Sequence, residues 1–98
     1  MNIYKEAYLQ AMCKNLNTLR AAIGITQEEL ARYAGISRQT IVAAERENKL
    51  SWNTYLSLVF IFSQRPETDA LLDFFGIFPR EFVQQFQPQQ PELQKEVF

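Results

Sequence analysis

The sequence contains no histidine, a single cysteine and only three glycines in 98 residues. Without histidine, Ser–His and Cys–His nucleophilic pairs cannot form, and a transition-metal site would need carboxylates alone. The glycines do not supply either of the common phosphate-binding loops. Paired carboxylates leave a small hydrolase conceivable, but Glu28, Glu29 and the other acids occur in ordinary helix-surface contexts. We therefore predict a protein that is not an enzyme and that uses no metal or other cofactor.

Long apolar runs are also lacking. No stretch of about 18 apolar residues is present, so we predict no membrane-spanning helix. The N-terminal sequence MNIYKEAYLQAM lacks the basic-then-apolar layout of a secretory signal. One cysteine cannot form an internal disulfide, which fits a reducing cytosol. We expect a cytoplasmic protein in which Cys13 lies off the apolar stripe of its helix, as a small filler without a redox role.

The charge is small overall but unevenly divided. The net charge is −1. Residues 1–50 hold seven basic and five acidic residues, a net of +2, whereas residues 51–98 hold three basic and six acidic residues, a net of −3. Because one face of a protein can bind phosphate while another repels it, this division is compatible with a nucleic-acid partner for the first half.

The apolar pattern of the first half predicts three helices. In the first helix, apolar residues recur every three or four positions up to Ile23, and Gly24 ends it. Thr26 and Glu29 form a capping box that begins the second helix, which ends at Gly35. Ser37 caps a third helix, which ends in the polar segment 47–49.

The second half predicts three more helices and no strand. A strongly apolar helix begins at Ser51 or Asn53, and a fifth helix covers roughly residues 67–75. Pro79 suits the first turn of a short sixth helix over residues 80–86. Residues 87–98 are polar with two prolines and are predicted to be a mobile tail. The expected organisation is one domain over residues 1–86 followed by this tail.

Residues 26–46, TQEELARYAGISRQTIVAAER, carry the most specific pattern in the chain. Two helices joined by a tight turn cross steeply, so a small residue, Ala31, is needed where they touch. Gly35 must take a positive φ, which only glycine does at little cost. The apolar residues of both helices then face one core: Leu30, Ala34, Ile36, Ile41 and Ala44. This is the helix-turn-helix pattern, in which the second helix enters the major groove of DNA.

The stretch from about residue 15 to residue 62 resembles the Cro/cI-type (xenobiotic-response-element) helix-turn-helix family. The residues that carry the resemblance are LRAAIGITQEELARYAGISRQTIVAAERENK. It implies an all-α, lambda-repressor-like five-helix bundle, here with a short extra C-terminal helix, that binds operator DNA as a homodimer. Gln27 matches the glutamine that opens the second helix in that family, and Arg20 and Glu45 occupy the places of a structural ion pair. The segment after Glu45 departs from the Glu-x-Gly usual there.

Three residues at the front of the third helix are the candidates for reading bases. Arg38 can bind guanine and Gln39 can bind adenine in a bidentate manner, and Thr40 can offer its methyl group to thymine. The candidates for phosphate contacts are Gln27, Ser37, Arg46, Asn48 and Lys49. For each of these residues, an ordinary solvated surface position is the alternative.

All eight phenylalanines lie between residues 60 and 98, more than a small core is expected to hide. Large exposed apolar patches usually mark interfaces, so we predict a homodimer contact through Phe74, Phe75, Phe78 and Phe82. The alternative is extra core around the sixth helix, together with Tyr4 and Tyr8.

The function predicted from the sequence is a sequence-specific regulator of transcription. We expect a repressor that binds double-stranded DNA at a palindromic operator as a homodimer. The alternative is a protein-interaction module, antitoxin-like or anti-repressor-like, that uses the Phe-rich half to bind a protein partner.

Overall fold

Six α-helices make up residues 3–86, the part of the chain that this computed structural model describes. They are α1 (Ile3–Ile23), α2 (Gln27–Ala34), α3 (Arg38–Glu47), α4 (Trp52–Ser63), α5 (Pro66–Phe74) and α6 (Arg80–Gln84). No strand occurs within these residues. The predicted all-α fold, a five-helix bundle with an extra C-terminal helix, is confirmed. The predicted tail, residues 87–98, lies outside the described residues.

Helices α2, α3 and α4 begin at side-chain caps that can be predicted from the sequence. Thr26 Oγ1 accepts a hydrogen bond from the Glu29 N–H at 3.0 Å, and Glu29 Oε1 accepts one from the Thr26 N–H at 2.9 Å. Ser37 caps α3, and Ser51 rather than Asn53 caps α4. Each cap satisfies an N–H group that has no partner inside its helix.

The longest helix, α1, lies against α3, α4 and α5. The residues it buries therefore span more of its circumference than a single apolar stripe. Cys13 is only 4% exposed and belongs to the core, so its predicted position off the stripe is wrong. The core consists of Tyr8, Met12, Cys13, Leu16, Leu19, Leu30, Ala31, Ile41, Ala44, Tyr55, Leu58, Phe62, Leu72 and Ile77.

The two C-terminal helices have no side-chain caps and are positioned by contacts with distant residues. The Tyr55 hydroxyl donates a hydrogen bond to the buried Ile77 carbonyl. The Tyr8 hydroxyl accepts one from the Glu81 N–H at 3.0 Å and so holds the start of α6 against α1. The helix α6 ends at Gln84, two residues before the predicted end, and Pro79 precedes it instead of lying in its first turn.

Candidate nucleic-acid interface

A tight turn sets the angle between α2 and α3. Ala31 is buried between these helices, and its carbonyl accepts a hydrogen bond from the Ile36 N–H at 3.0 Å. Gly35 ends α2 with φ +71°, a left-handed conformation that costs glycine little. The turn leaves one side of α3 without a covering helix, so that its side chains face solvent.

The uncovered side of α3 forms a shallow cleft with the beginning of α2, which we call the recognition cleft. Its lining residues are Gln27, Arg38, Gln39, Val42 and Arg46. Arg38, Val42 and Arg46 follow one another at intervals of four residues and therefore share one helix face. Arg38, Gln39 and Arg46 are exposed. A helix that presents such donors on one face can enter the major groove, which is about 12 Å wide.

The side chain of Gln27 connects the recognition cleft to the interior. Its Nε2 donates a hydrogen bond to Glu45 Oε1 at 2.9 Å, and its Oε1 accepts one from Arg38 Nη2 at 3.3 Å. A glutamine amide carries two N–H donors, so one remains for a further acceptor. Gln27 thus lies at the predicted phosphate-binding position and also orients Arg38.

Arg20 and Glu45 join α1 to α3. Arg20 Nε lies 2.6 Å from Glu45 Oε2, and Arg20 Nη2 donates to Glu45 Oε1 at 3.1 Å. The two side chains are only 14% and 11% exposed. Burial by itself would raise the pKa of Glu45, but hydrogen bonds from Arg20 and Gln27 and the charge of Arg20 outweigh it. The pKa of Glu45 therefore lies below its usual range.

A helix-turn-helix family model matches residues 9–51, the segment from α1 to the cap of α4. Residues 9–51 are a Cro/cI-type helix-turn-helix domain. The predicted resemblance is therefore confirmed, and the domain belongs to a DNA-binding family. Neither a curated protein nor a solved structure matches the chain.

The remaining site residues of the helix-turn-helix domain lie at the two ends of α3. Ser37 Oγ accepts a hydrogen bond from the Thr40 N–H at 3.3 Å and lies 3.1 Å from Thr40 Oγ1, so the two hydroxyl groups engage each other. Asn48 ends α3 in the left-handed conformation at φ +57°, where glycine is more common, and asparagine tolerates this better than most residues. Lys49 pairs with Glu47 at 3.4 Å on the exposed surface.

The cations of the helix-turn-helix domain differ in whether a carboxylate neutralises them. Arg20 and Lys49 form ion pairs. Within residues 3–86, no carboxylate pairs with the other four cations of the domain, which are Lys14, Arg32, Arg38 and Arg46. Cations without a carboxylate partner are available for phosphate groups.

The phenylalanines of the predicted dimer interface differ in exposure. Phe74 is 80% exposed, whereas Phe75, Phe78 and Phe82 are half-buried. The ring of Phe82 packs edge-on against Trp52, at 5.3 Å between centroids. The structure therefore places Phe82 partly in the chain's own packing around α6 and leaves Phe74 open.

Two features of the recognition cleft went unpredicted from the sequence. Val42 lines the cleft, and its spacing of four residues from both Arg38 and Arg46 is the signal that could have identified it. The bond from Gln27 to Glu45 joins residues 18 positions apart and has no local signal.

No helix within residues 3–86 is long and apolar enough to cross a membrane.

Proposed function

We propose that the protein is a sequence-specific regulator of transcription, most simply a repressor, that binds double-stranded DNA through α3. The observation that carries this proposal is the recognition cleft, where exposed Arg38, Gln39 and Arg46 lie beside the beginning of α2. The family match at residues 9–51 supports DNA as the partner. Bound to its operator, such a domain represses by occupying the site.

Sequence reading is assigned to the front of α3. The Arg38 guanidinium fits the O6 and N7 atoms of guanine, and the Gln39 amide fits the N6 and N7 atoms of adenine. Gln27 holds Arg38 from one side, which reduces the freedom that the guanidinium loses on binding. Thr40 has its hydroxyl engaged with Ser37, so its methyl group is the part that remains for a thymine.

Phosphate groups are the proposed ligands of the residues around α3. Gln27 begins α2 and bonds to Arg38, Ser37 caps the beginning of α3, and Arg46, Asn48 and Lys49 lie at the end of α3. Because these contacts release counterions, affinity should fall as the salt concentration rises. Few cations are present, so we expect a modest salt dependence and weak non-specific binding. Residues 1–86 act as one domain in this proposal, with residues 87–98 as a tail.

A homodimer is proposed to place two copies of α3 in successive major grooves, about 34 Å apart, on a palindromic operator. The proposed contact is centred on Phe74, with Phe75, Phe78 and Phe82 beside it. The 80% exposure of Phe74 supports this choice, because a large apolar side chain gains most from burial when it starts in solvent.

Selection of bound sequences from random DNA duplexes tests the DNA-reading proposal. We expect the protein to enrich an inverted repeat. The double variant Arg38→Ala with Gln39→Ala should lose or relax that preference. Thermal unfolding of the variant provides the control for folding. Failure of the folded protein to enrich any sequence at low salt would contradict the proposal.

Light scattering tests the dimer. Phe74→Ser should shift the molecular mass from dimer to monomer and weaken binding to the inverted repeat. Phe60→Ser is the matched control, because Phe60 is 66% exposed and is not among the residues of the proposed contact. Equal masses for Phe74→Ser and the unchanged protein would contradict the assignment of Phe74.

A protein-interaction module is the alternative function, and the exposure of Phe60, Phe74 and Phe86 in the second half favours it. This alternative predicts that the protein isolated from its host cells carries a stoichiometric protein partner and no DNA. Enrichment of an inverted repeat that depends on Arg38 would argue against it.

A further inference from the structure

A second cleft lies beyond the C-terminal end of α3, between α1 and the loop of residues 48–50. We call it the α1 cleft, and its lining residues are Glu6, Leu9, Gln10, Lys14, Asn48 and Leu50. The recognition cleft flanks α3 on the side of α2, and the α1 cleft follows the end of α3. A cleft at the C-terminal end of a helix that lies in the major groove can reach the sugar–phosphate backbone that borders the groove.

Lys14 supplies a cation to the α1 cleft. Its side chain is exposed, and within residues 3–86 it forms no hydrogen bond or ion pair. Gln10 is also exposed and precedes Lys14 by about one helical turn, so both side chains lie on the same face of α1. Leu9 and Leu50 are half-buried and form the apolar floor, against which the stem of a lysine can lie.

Asn48 connects the α1 cleft to the recognition helix. Asn48 is the residue that ends α3, and its left-handed conformation turns the chain from α3 towards α1. The negative charge in the cleft comes from Glu6, which lies eight residues before Lys14. That spacing separates the two positions by about 12 Å along the helix axis. The end of the cleft that Lys14 lines is therefore the basic end.

We propose that the α1 cleft binds the phosphate backbone of the DNA, with Lys14 providing the charge and Gln10 and Asn48 donating hydrogen bonds. Helix α1 thereby belongs to the DNA interface. This inference rests on the proposed function, because it requires that α3 enters the major groove.

Salt-dependent binding to a duplex of random sequence tests the inference, because phosphate contacts act on every sequence. Each phosphate contact contributes about 0.9 to the slope of log K against log salt concentration. Lys14→Gln should therefore lower the slope by about 0.9 and the affinity by roughly eightfold at about 0.1 M salt. The ratio of operator affinity to random-duplex affinity should stay unchanged, since a phosphate contact carries no base preference.

Three further variants complete the experiment. Lys14→Arg keeps the charge and should retain the slope, and Gln10→Glu should weaken binding by bringing a negative charge to the basic end. Arg65→Gln is the matched control, because Arg65 pairs with Glu67 in the second half and lies outside both clefts. Its slope should equal that of the unchanged protein.

The outcomes separate the inference from the proposed function. If the unchanged protein binds no duplex at low salt, the proposed function and the inference both fail. If it binds DNA while Lys14→Gln and Gln10→Glu bind with the same slope and affinity, the inference alone fails. A loss of operator affinity without a loss for the random duplex would also overturn it, because Lys14 would then be reading bases.

Discussion

The helix-turn-helix domain, residues 9–51, and the C-terminal region, residues 52–86, are stabilised in different ways. Within residues 3–86, three side-chain caps begin a helix, namely Thr26, Ser37 and Ser51. In the C-terminal region, α4 begins directly after the Ser51 cap, whereas α5 and α6 have no side-chain cap. Their positions depend on bonds between residues far apart in sequence, such as those of Tyr55 with Ile77 and Tyr8 with Glu81. Local caps therefore set the starts of α2, α3 and α4, whereas contacts between distant residues position α5 and α6.

The ion pairs of the two regions differ in how deeply they are buried. In the C-terminal region, Arg65 pairs with Glu67 and Arg80 with Asp73, and these side chains are about half exposed or more. The domain instead has one well-buried pair, Arg20–Glu45, and leaves most of its cations unpaired. The domain thus uses one buried ion pair for structure and one exposed pair, Lys49–Glu47, and its other four cations have no carboxylate partner within residues 3–86.

Removing the buried pair should cause the largest loss of stability. We expect Glu45→Gln to lower the free energy of unfolding by about 2–3 kcal/mol, because Arg20 then lies in a shielded site without a counterion. Urea denaturation at neutral pH measures the change. Asp73→Asn is the matched control in the C-terminal region and should cost less than about 1 kcal/mol, since its pair with Arg80 is exposed. Equal losses in the free energy of unfolding of the two variants would contradict the expected difference between the buried and the exposed ion pair.

The cost of Glu45→Gln should also depend on pH. The pKa of Glu45 is lowered in the folded protein, so its carboxylate stabilises the fold above the usual glutamate pKa. That stabilisation is lost as the pH falls through the folded-state pKa. We therefore expect the difference between the unchanged protein and Glu45→Gln to be constant from neutral pH down to mild acid and then to shrink. Urea titrations at a series of pH values measure it, and a difference that grows in acid would contradict the assignment.

The C-terminal region should respond most to the loss of a long-range bond. Tyr55→Phe leaves the buried Ile77 carbonyl without its donor, so we expect a loss of about 1–2 kcal/mol. Tyr33→Phe, which removes an exposed hydroxyl from the domain, should cost almost nothing. Thermal unfolding of both variants compares them. Equal stability of Tyr55→Phe and the unchanged protein would show that this bond does not position the segment after α5.

Adding a cap to α5 should give the smallest effect and should make the two regions more alike. Arg65 precedes α5 in an extended conformation, with φ −115° and ψ 130°, and makes no capping bond. Asp in that position can accept a hydrogen bond from the first turn, so Arg65→Asp should raise the stability by about 0.5–1 kcal/mol. Arg65→Ala is the control for the lost ion pair. No gain over Arg65→Ala would mean that packing alone determines where α5 begins.

The sequence predicted the features that depend on neighbouring residues. The Thr26–Glu29 capping box, the Gly35 turn and the Ser37 cap lie within four residues of the groups they satisfy, so their signals are local. The burial of Cys13 was mispredicted because it depends on how many helices surround α1, which no pattern within α1 records. The packing of α6 was missed for a similar reason, since its contacts come from Tyr8 and Trp52, which are far away in the sequence.

The candidate site likewise has one part with a local sequence signal and one part without it. The candidate residues at the front of α3 were predicted from a motif with fixed spacing. The α1 cleft was not, because Lys14 and Asn48 are 34 positions apart in the sequence and meet only in the folded chain. Spacing arguments find the residues of one helix face, whereas a surface made from two separate segments becomes visible only in three dimensions.

Because Cys13 is buried, the rate at which a thiol reagent modifies it can report local opening of the fold. It is the single cysteine of the sequence, and burial raises the pKa of its thiol, so the thiolate that reacts with labelling reagents is scarce in the folded protein. A reagent reaches Cys13 only when α1 separates from the core. The rate of modification at one defined atom therefore reports how often α1 opens, and a comparison with and without a DNA duplex would reveal whether a ligand at the α1 cleft slows that opening.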